Sequence, residues 1–121
     1  MPIWVWLAAG ALGGIFAIVR FLLDAVVSSR AAGEFPWGTF TINVTGSFAL
    51  GVLVGVAPTG NALLLAGTAS IGSYTTFSTW MLESHRLGED DDRGPLALYV
   101  LGSLLVGLAA AACGRILGRT L

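Results

Sequence analysis

Lysine is absent from this chain, and charge of either sign is scarce: 11% of its 121 residues are Asp, Glu or Arg. Soluble domains usually carry about 25%. A chain this short has no core able to hide an apolar content of 55%, which excludes a soluble fold. Histidine and cysteine occur once each, as His85 and Cys113. That rules out a histidine–cysteine metal centre and an intramolecular disulfide. No nucleophile–base arrangement and no phosphate loop occurs, so no enzyme is expected. The net charge of −1 suggests no nucleic-acid partner. No basic residue precedes the first apolar run, which continues to Arg20 without a small-residue cleavage pattern, so it is not read as a signal peptide.

What is present is apolar and segmented. Arg86, Glu89, Asp90, Asp91, Asp92 and Arg93 crowd into one loop, and apolar stretches fall near 3–27, 37–57, 62–84 and 95–118. At about 1.5 Å rise per residue, each can cross a hydrocarbon core of roughly 30 Å. The expected fold is all-α: one membrane domain over 1–121 with four transmembrane helices, in contact with the lipid bilayer throughout. The run EDDD reads as a solvated turn rather than a divalent-ion site. Four spans put Arg115 and Arg119 on one side and Arg30, Arg86 and Arg93 on the other, almost no positive-inside bias. Either loop acids obscure the rule, or the protein inserts both ways round, which permits antiparallel dimers.

The first segment carries Gly10, Gly13 and Gly14, a small face for close helix approach, then Arg20 and Asp24, spaced to pair. Pro36 suits a helix start and Trp37 an interfacial belt. In the second segment Thr39, Asn43, Ser47 and Gly51 recur at i,i+4 and form a polar-to-small stripe. In the fourth, Tyr99, Ser103 and Gly107 do the same, and Gly107, Ala111 and Gly114 extend a small face. The third reaches IGSYTTFSTW at its centre. Gly72 is a weak helix position, and the hydroxyls that follow offer the backbone alternative hydrogen bonds. A break near 72–75 is therefore expected, tolerable at membrane depth only where it is buried in protein or faces a water-filled cavity.

Asn43, Ser47, Thr75, Thr76, Ser78, Thr79, Glu83, Tyr99 and Ser103 are polar groups that membrane helices avoid unless they pack or transport. Four segments enclose no wide pore, which points to a dimer and a narrow path. Amide and hydroxyl donors with aromatic ring edges, and no lysine or arginine among them, suit a small hydrated anion that must be held and released. Cations can use the same hydroxyl oxygens, so donors alone leave the ion's sign open.

The sequence resembles the Fluc (CrcB) fluoride channel family over nearly its whole length. PWGTFTINVTGSFALG is similar to the family's P-x-G-T-x-x-x-N-x-x-G-S-x-x-x-G, and GSYTTFSTWMLE to its G-G-x-T-T-F-S-T-F-x-x-E. GGIFAIVRF resembles the family's glycine-rich stretch ending in arginine. The resemblance implies an antiparallel, dual-topology dimer with the third helix broken near its middle, passing fluoride passively across a prokaryotic inner membrane. The implied pathway residues are Asn43, Phe77, Trp80, Ser78, Thr79, Tyr99 and Ser103. Arg20 and Glu83 fall near the path or its vestibule. A structural sodium ion at the dimer centre is implied, held by the backbone carbonyls of Gly72 and Thr75. Trp80 stands where the family has a second phenylalanine and Ser73 where it has a second glycine. Gly107 replaces a frequent serine, and Phe16 and Phe21 a glycine and a tyrosine. Trp80 keeps an aromatic edge and adds an indole N–H. A homodimer is favoured, with pairing to a paralogous subunit as the alternative. The competing readings are a small dual-topology multidrug exporter and a non-transporting membrane assembly subunit.

Overall fold

The computed structural model describes residues 2–31, 33, 35–90 and 93–121, and of Ser78 the backbone alone. Asp91 and Asp92 of the acidic run lie outside the described residues. Helix α1 covers Ile3–Arg30. It runs past the expected end because Ser28 and Ser29 turn their hydroxyls back onto Asp24 and the Val26 carbonyl, at 3.2 and 2.8 Å. Arg30, in its last turn, complements the helix dipole. Helix α2 covers Trp37–Val56 directly after Pro36 and stops at Ala57, whose left-handed backbone (φ 57°) does the work usually given to glycine.

Helix α3 spans 60–74 and is not uniform. Its middle, Leu64–Ile71, is wound as a π-helix, with Gly60–Leu63 before it and Gly72–Tyr74 after it. The Ser70 hydroxyl reaches the Leu65 carbonyl at 2.7 Å, a five-residue step that suits the wider winding. Thr75 and Thr76 are extended (φ −81°, ψ 161° and φ −148°, ψ 122°), and helix α4 then runs over Phe77–Glu89. Helix α5, Arg93–Arg119, completes the described elements. Among the described residues α1, α2 and α5 are long and apolar enough to cross a membrane.

The tightest packing joins α2 to α5. A Cβ on Gly51 would strike the Ala111 carbonyl, and one on Gly114 or Gly118 the carbonyls of Phe48 or Val52. Small residues let these backbones touch, as membrane helices do where dispersion replaces the hydrophobic drive. Helix α1 lies against α3, but only part of its small face is used. A Cβ on Gly13 would come 3.2 Å from Ser73 Oγ, while Gly10 and Gly14 have nothing within 4 Å. Ile3, Trp6, Phe21, Leu105 and Leu108 are each more than half exposed, which suits a molecule whose solvent is lipid.

Candidate functional site

The two extended residues, Thr75 and Thr76, are held against α2. Asn43 donates from Nδ2 to the Thr76 carbonyl and accepts from the Thr76 N–H, both at 2.9 Å. Its amide thus pairs with backbone as a neighbouring strand would. Gly46 makes room: a Cβ there would collide with the Thr75 methyl. Thr75 returns both its N–H and its hydroxyl to the Ile71 carbonyl, at 3.0 and 3.1 Å. Gly72 itself stays helical (φ −61°, ψ −36°). The Thr76 hydroxyl accepts from the Thr79 N–H at 3.3 Å and caps α4.

An open groove of about 260 Å³ is lined by Asn43, Ser47, Thr75, Thr76, Phe77 and Trp80, among others. Phe77 is 70% exposed, with its ring 5.6 Å from that of Trp80. Trp80 in turn lies 6.5 Å from Tyr99, ring to ring. On the far side of Thr76 a second cavity, about 180 Å³, is lined by Arg20, Asp24, Thr39 and Thr79 with Phe21 and Ile42. Arg20 and Asp24 border it without forming the ion pair their spacing allows; Asp24 accepts from Ser28 instead. Glu83 accepts from the Thr39 hydroxyl at 2.5 Å and, more distantly, from the Tyr99 hydroxyl at 3.5 Å. Its carboxylate therefore ties α4 to α2 and to the fully buried Tyr99 of α5.

Trp80 Nε1 and Ser103 Oγ are buried with no hydrogen-bond partner among the described residues. Several neighbouring hydroxyls are committed elsewhere: Ser47 to the Asn43 carbonyl, Ser84 to the Trp80 carbonyl, Thr39 and Tyr99 to Glu83. The side chain of Ser78 lies outside the described residues. Thr76 and Thr39 are central to this arrangement and were not singled out from sequence as pathway residues. A threonine immediately before the helical run that opens with Phe77 is an N-cap signal that marks Thr76. Thr39 carries no comparable local signal, since its partner Glu83 belongs to another helix.

Three apolar helices long enough to cross a membrane, with a polar groove beside the extended Thr75 and Thr76, fit a multi-pass membrane transport protein. Residues 5–115 match the family described as "CrcB-like protein, Camphor Resistance (CrcB)", and the chain belongs to that family. A relative in Mycobacterium bovis, named fluoride-specific ion channel FluC 2, is 48% identical over 111 residues, covering 92% of this chain and 88% of its own length. One in Frankia casuarinae, named fluoride-specific ion channel FluC 1, is 41% identical over 125 residues, 96% of this chain and 95% of its own. A FluC 2 of Clostridium acetobutylicum is 34% identical over 107 residues, 88% and 92% of the two chains.

Proposed function

We propose that this chain is one subunit of a fluoride-selective channel that passes fluoride passively down its gradient. In this reading α3 and α4 are two halves of a third crossing, broken at Thr75 and Thr76, so that the chain crosses four times. A second, antiparallel copy covers the groove. The need for cover is physical: the Asn43 groove, the exposed Phe77 and the Thr45–Tyr74 hydroxyl pair (2.7 Å) lie on a flank that lipid would otherwise meet, and polar groups facing hydrocarbon are costly. The relatives' paired names, FluC 1 and FluC 2, leave a paralogous partner as the alternative to a homodimer.

The observation that carries the reading is a pair of buried donors without a partner among the described residues. Buried polar atoms are almost always satisfied, so Trp80 Nε1 and Ser103 Oγ await an acceptor that comes and goes. An indole N–H donates and has no lone pair to offer, so it cannot ligate a cation. That supports an anion where hydroxyls alone leave the sign open. In this reading the spare N–H of Asn43 and the ring edges of Phe77 and Trp80, with Ser103, supply weak contacts that strip and release one small anion. Thr79 lines the second cavity, and Tyr99 is held by Glu83. Ser78 belongs to the same stretch of sequence. Arg20 borders the second cavity as a vestibule charge, and Glu83 acts by holding Tyr99 and Thr39 in place.

The family resemblance also calls for a structural sodium on the carbonyls of Gly72 and Thr75, and the residues fit one. In a continuous helix these carbonyls would accept from the N–H groups of Thr76 and Thr79, which here donate to Asn43 and to the Thr76 hydroxyl. Bound there, sodium supplies a fixed positive charge that neutralises unwound backbone. Efflux from proteoliposomes made with this chain alone, followed with a fluoride electrode, tests the function. Fluoride release without chloride release is expected. Proton-coupled release of a cationic dye would instead identify the exporter, and no release of any solute the assembly subunit.

A further inference from the structure

The two carbonyls available to a cation are freed by side chains, and those side chains can be named. In a helix each carbonyl accepts from the N–H four residues on. For Gly72 that donor is Thr76, whose N–H is taken by Asn43 Oδ1 at 2.9 Å. For Thr75 it is Thr79, whose N–H is taken by Thr76 Oγ1 at 3.3 Å. The carbonyls on either side of this pair are satisfied. Ile71 accepts twice from Thr75, and Thr76 accepts from Asn43 Nδ2. The donors that would close the helix over Gly72 and Thr75 are thus each taken by a side-chain acceptor.

We infer that Asn43 and the Thr76 hydroxyl are positioning residues for the cation site, because each diverts the backbone donor that would otherwise close the helix over one of its ligands. The inference rests on the sodium reading above and deepens it. Asn43 is then shared: one face of its amide borders the anion groove, while its carbonyl oxygen keeps a cation ligand open. Anion path and cation anchor meet at one side chain of α2. Thr76 plays two parts as well, with its hydroxyl capping α4 and its backbone clamped by Asn43. The Thr76 hydroxyl and the Asn43 amide oxygen serve here as acceptors for backbone N–H groups.

The test measures sodium binding separately from transport. Thermal unfolding midpoints of the purified full chain are recorded against sodium concentration, with N-methylglucamine holding ionic strength. A ligand bound only by the folded state raises the midpoint with its concentration, so the wild type is expected to show a saturable sodium response. Thr76→Val removes the acceptor at nearly constant shape, and Asn43→Leu removes the amide. Each is expected to shift the half-saturating sodium concentration upward about ten- to hundredfold, the usual scale for groups that orient metal ligands. Thr76→Ser keeps the hydroxyl and is expected to restore the wild-type value. A merely architectural role would lower the midpoint equally at every sodium concentration. Half-saturation unchanged in both variants, or unchanged in Thr76→Val should Asn43→Leu fail to fold, overturns the inference. A wild type whose midpoint ignores sodium overturns the sodium reading itself.

Discussion

Trp80 carries the clearest residue-level conflict between stability and transport. Its indole N–H is buried without an acceptor among the described residues, and an unsatisfied buried donor costs about 1–3 kcal/mol. Phenylalanine would keep the ring contacts with Phe77 and Tyr99 and discard that penalty. Trp80→Phe is therefore expected to raise the thermal midpoint in fluoride-free buffer while slowing fluoride efflux, since a hydrogen bond to an ion is worth roughly 1.5–3 kcal/mol. The two measurements must move in opposite directions. If the variant is less stable, the indole is a packing element and its N–H has no part in conduction. Glu83 illustrates the contrary case, a polar residue whose interactions are all internal. Read from sequence alone it is an ionisable group at membrane depth; in the fold it links α2 to α5 through Thr39 and Tyr99.

At the scale of elements, the α2–α5 pair is the frame on which the site is hung, because α2 supplies Asn43 and α5 supplies Tyr99 and Ser103. Gly51, Gly114 and Gly118 meet backbone, not flexible side chains, so no rotamer change can absorb an added methyl there. Gly114→Ala is expected to cost about 1–3 kcal/mol, the usual range for overpacking, and to lower the midpoint in thermal unfolding. Gly94→Ala, with nothing within 4 Å of the added carbon, should leave it unchanged. These faces were readable in advance, since Gly107, Ala111 and Gly114 follow helical spacing and Asn43 and Thr39 share a stripe with Gly51. The π-winding of Leu64–Ile71 was not, because nothing in LLAGTASI departs from ordinary helix formers. The length of α4 was also hidden: its last turns carry a buried Leu87 and a His85–Glu89 pair at 2.8 Å, in a stretch that reads as loop by charge. The extended backbone sits at Thr75 and Thr76 because Asn43 selects that point, and a pairing between distant residues leaves no periodic trace.

For the whole molecule, the decisive quantity is how the chain lies in the bilayer. In the four-crossing reading proposed above, Arg115 and Arg119 flank one edge and Arg30, Arg86 and Arg93 the other, too even a division for the positive-inside rule to choose between orientations. An antiparallel pair needs both orientations in one membrane, and an undecided charge balance supplies them from a single chain. The prediction is topological and independent of conduction. With Cys113 replaced by alanine and Thr120→Cys as the sole thiol, a membrane-impermeant maleimide added to intact cells should label about half of the molecules, and the remainder only after permeabilisation. An even division is expected because, by the near-balance of flanking arginines, neither edge is favoured. Labelling of all molecules, or of none, before permeabilisation would mean one fixed orientation. The second copy would then have to be parallel or a different chain, and the groove beside Phe77 would be covered by a surface other than its own.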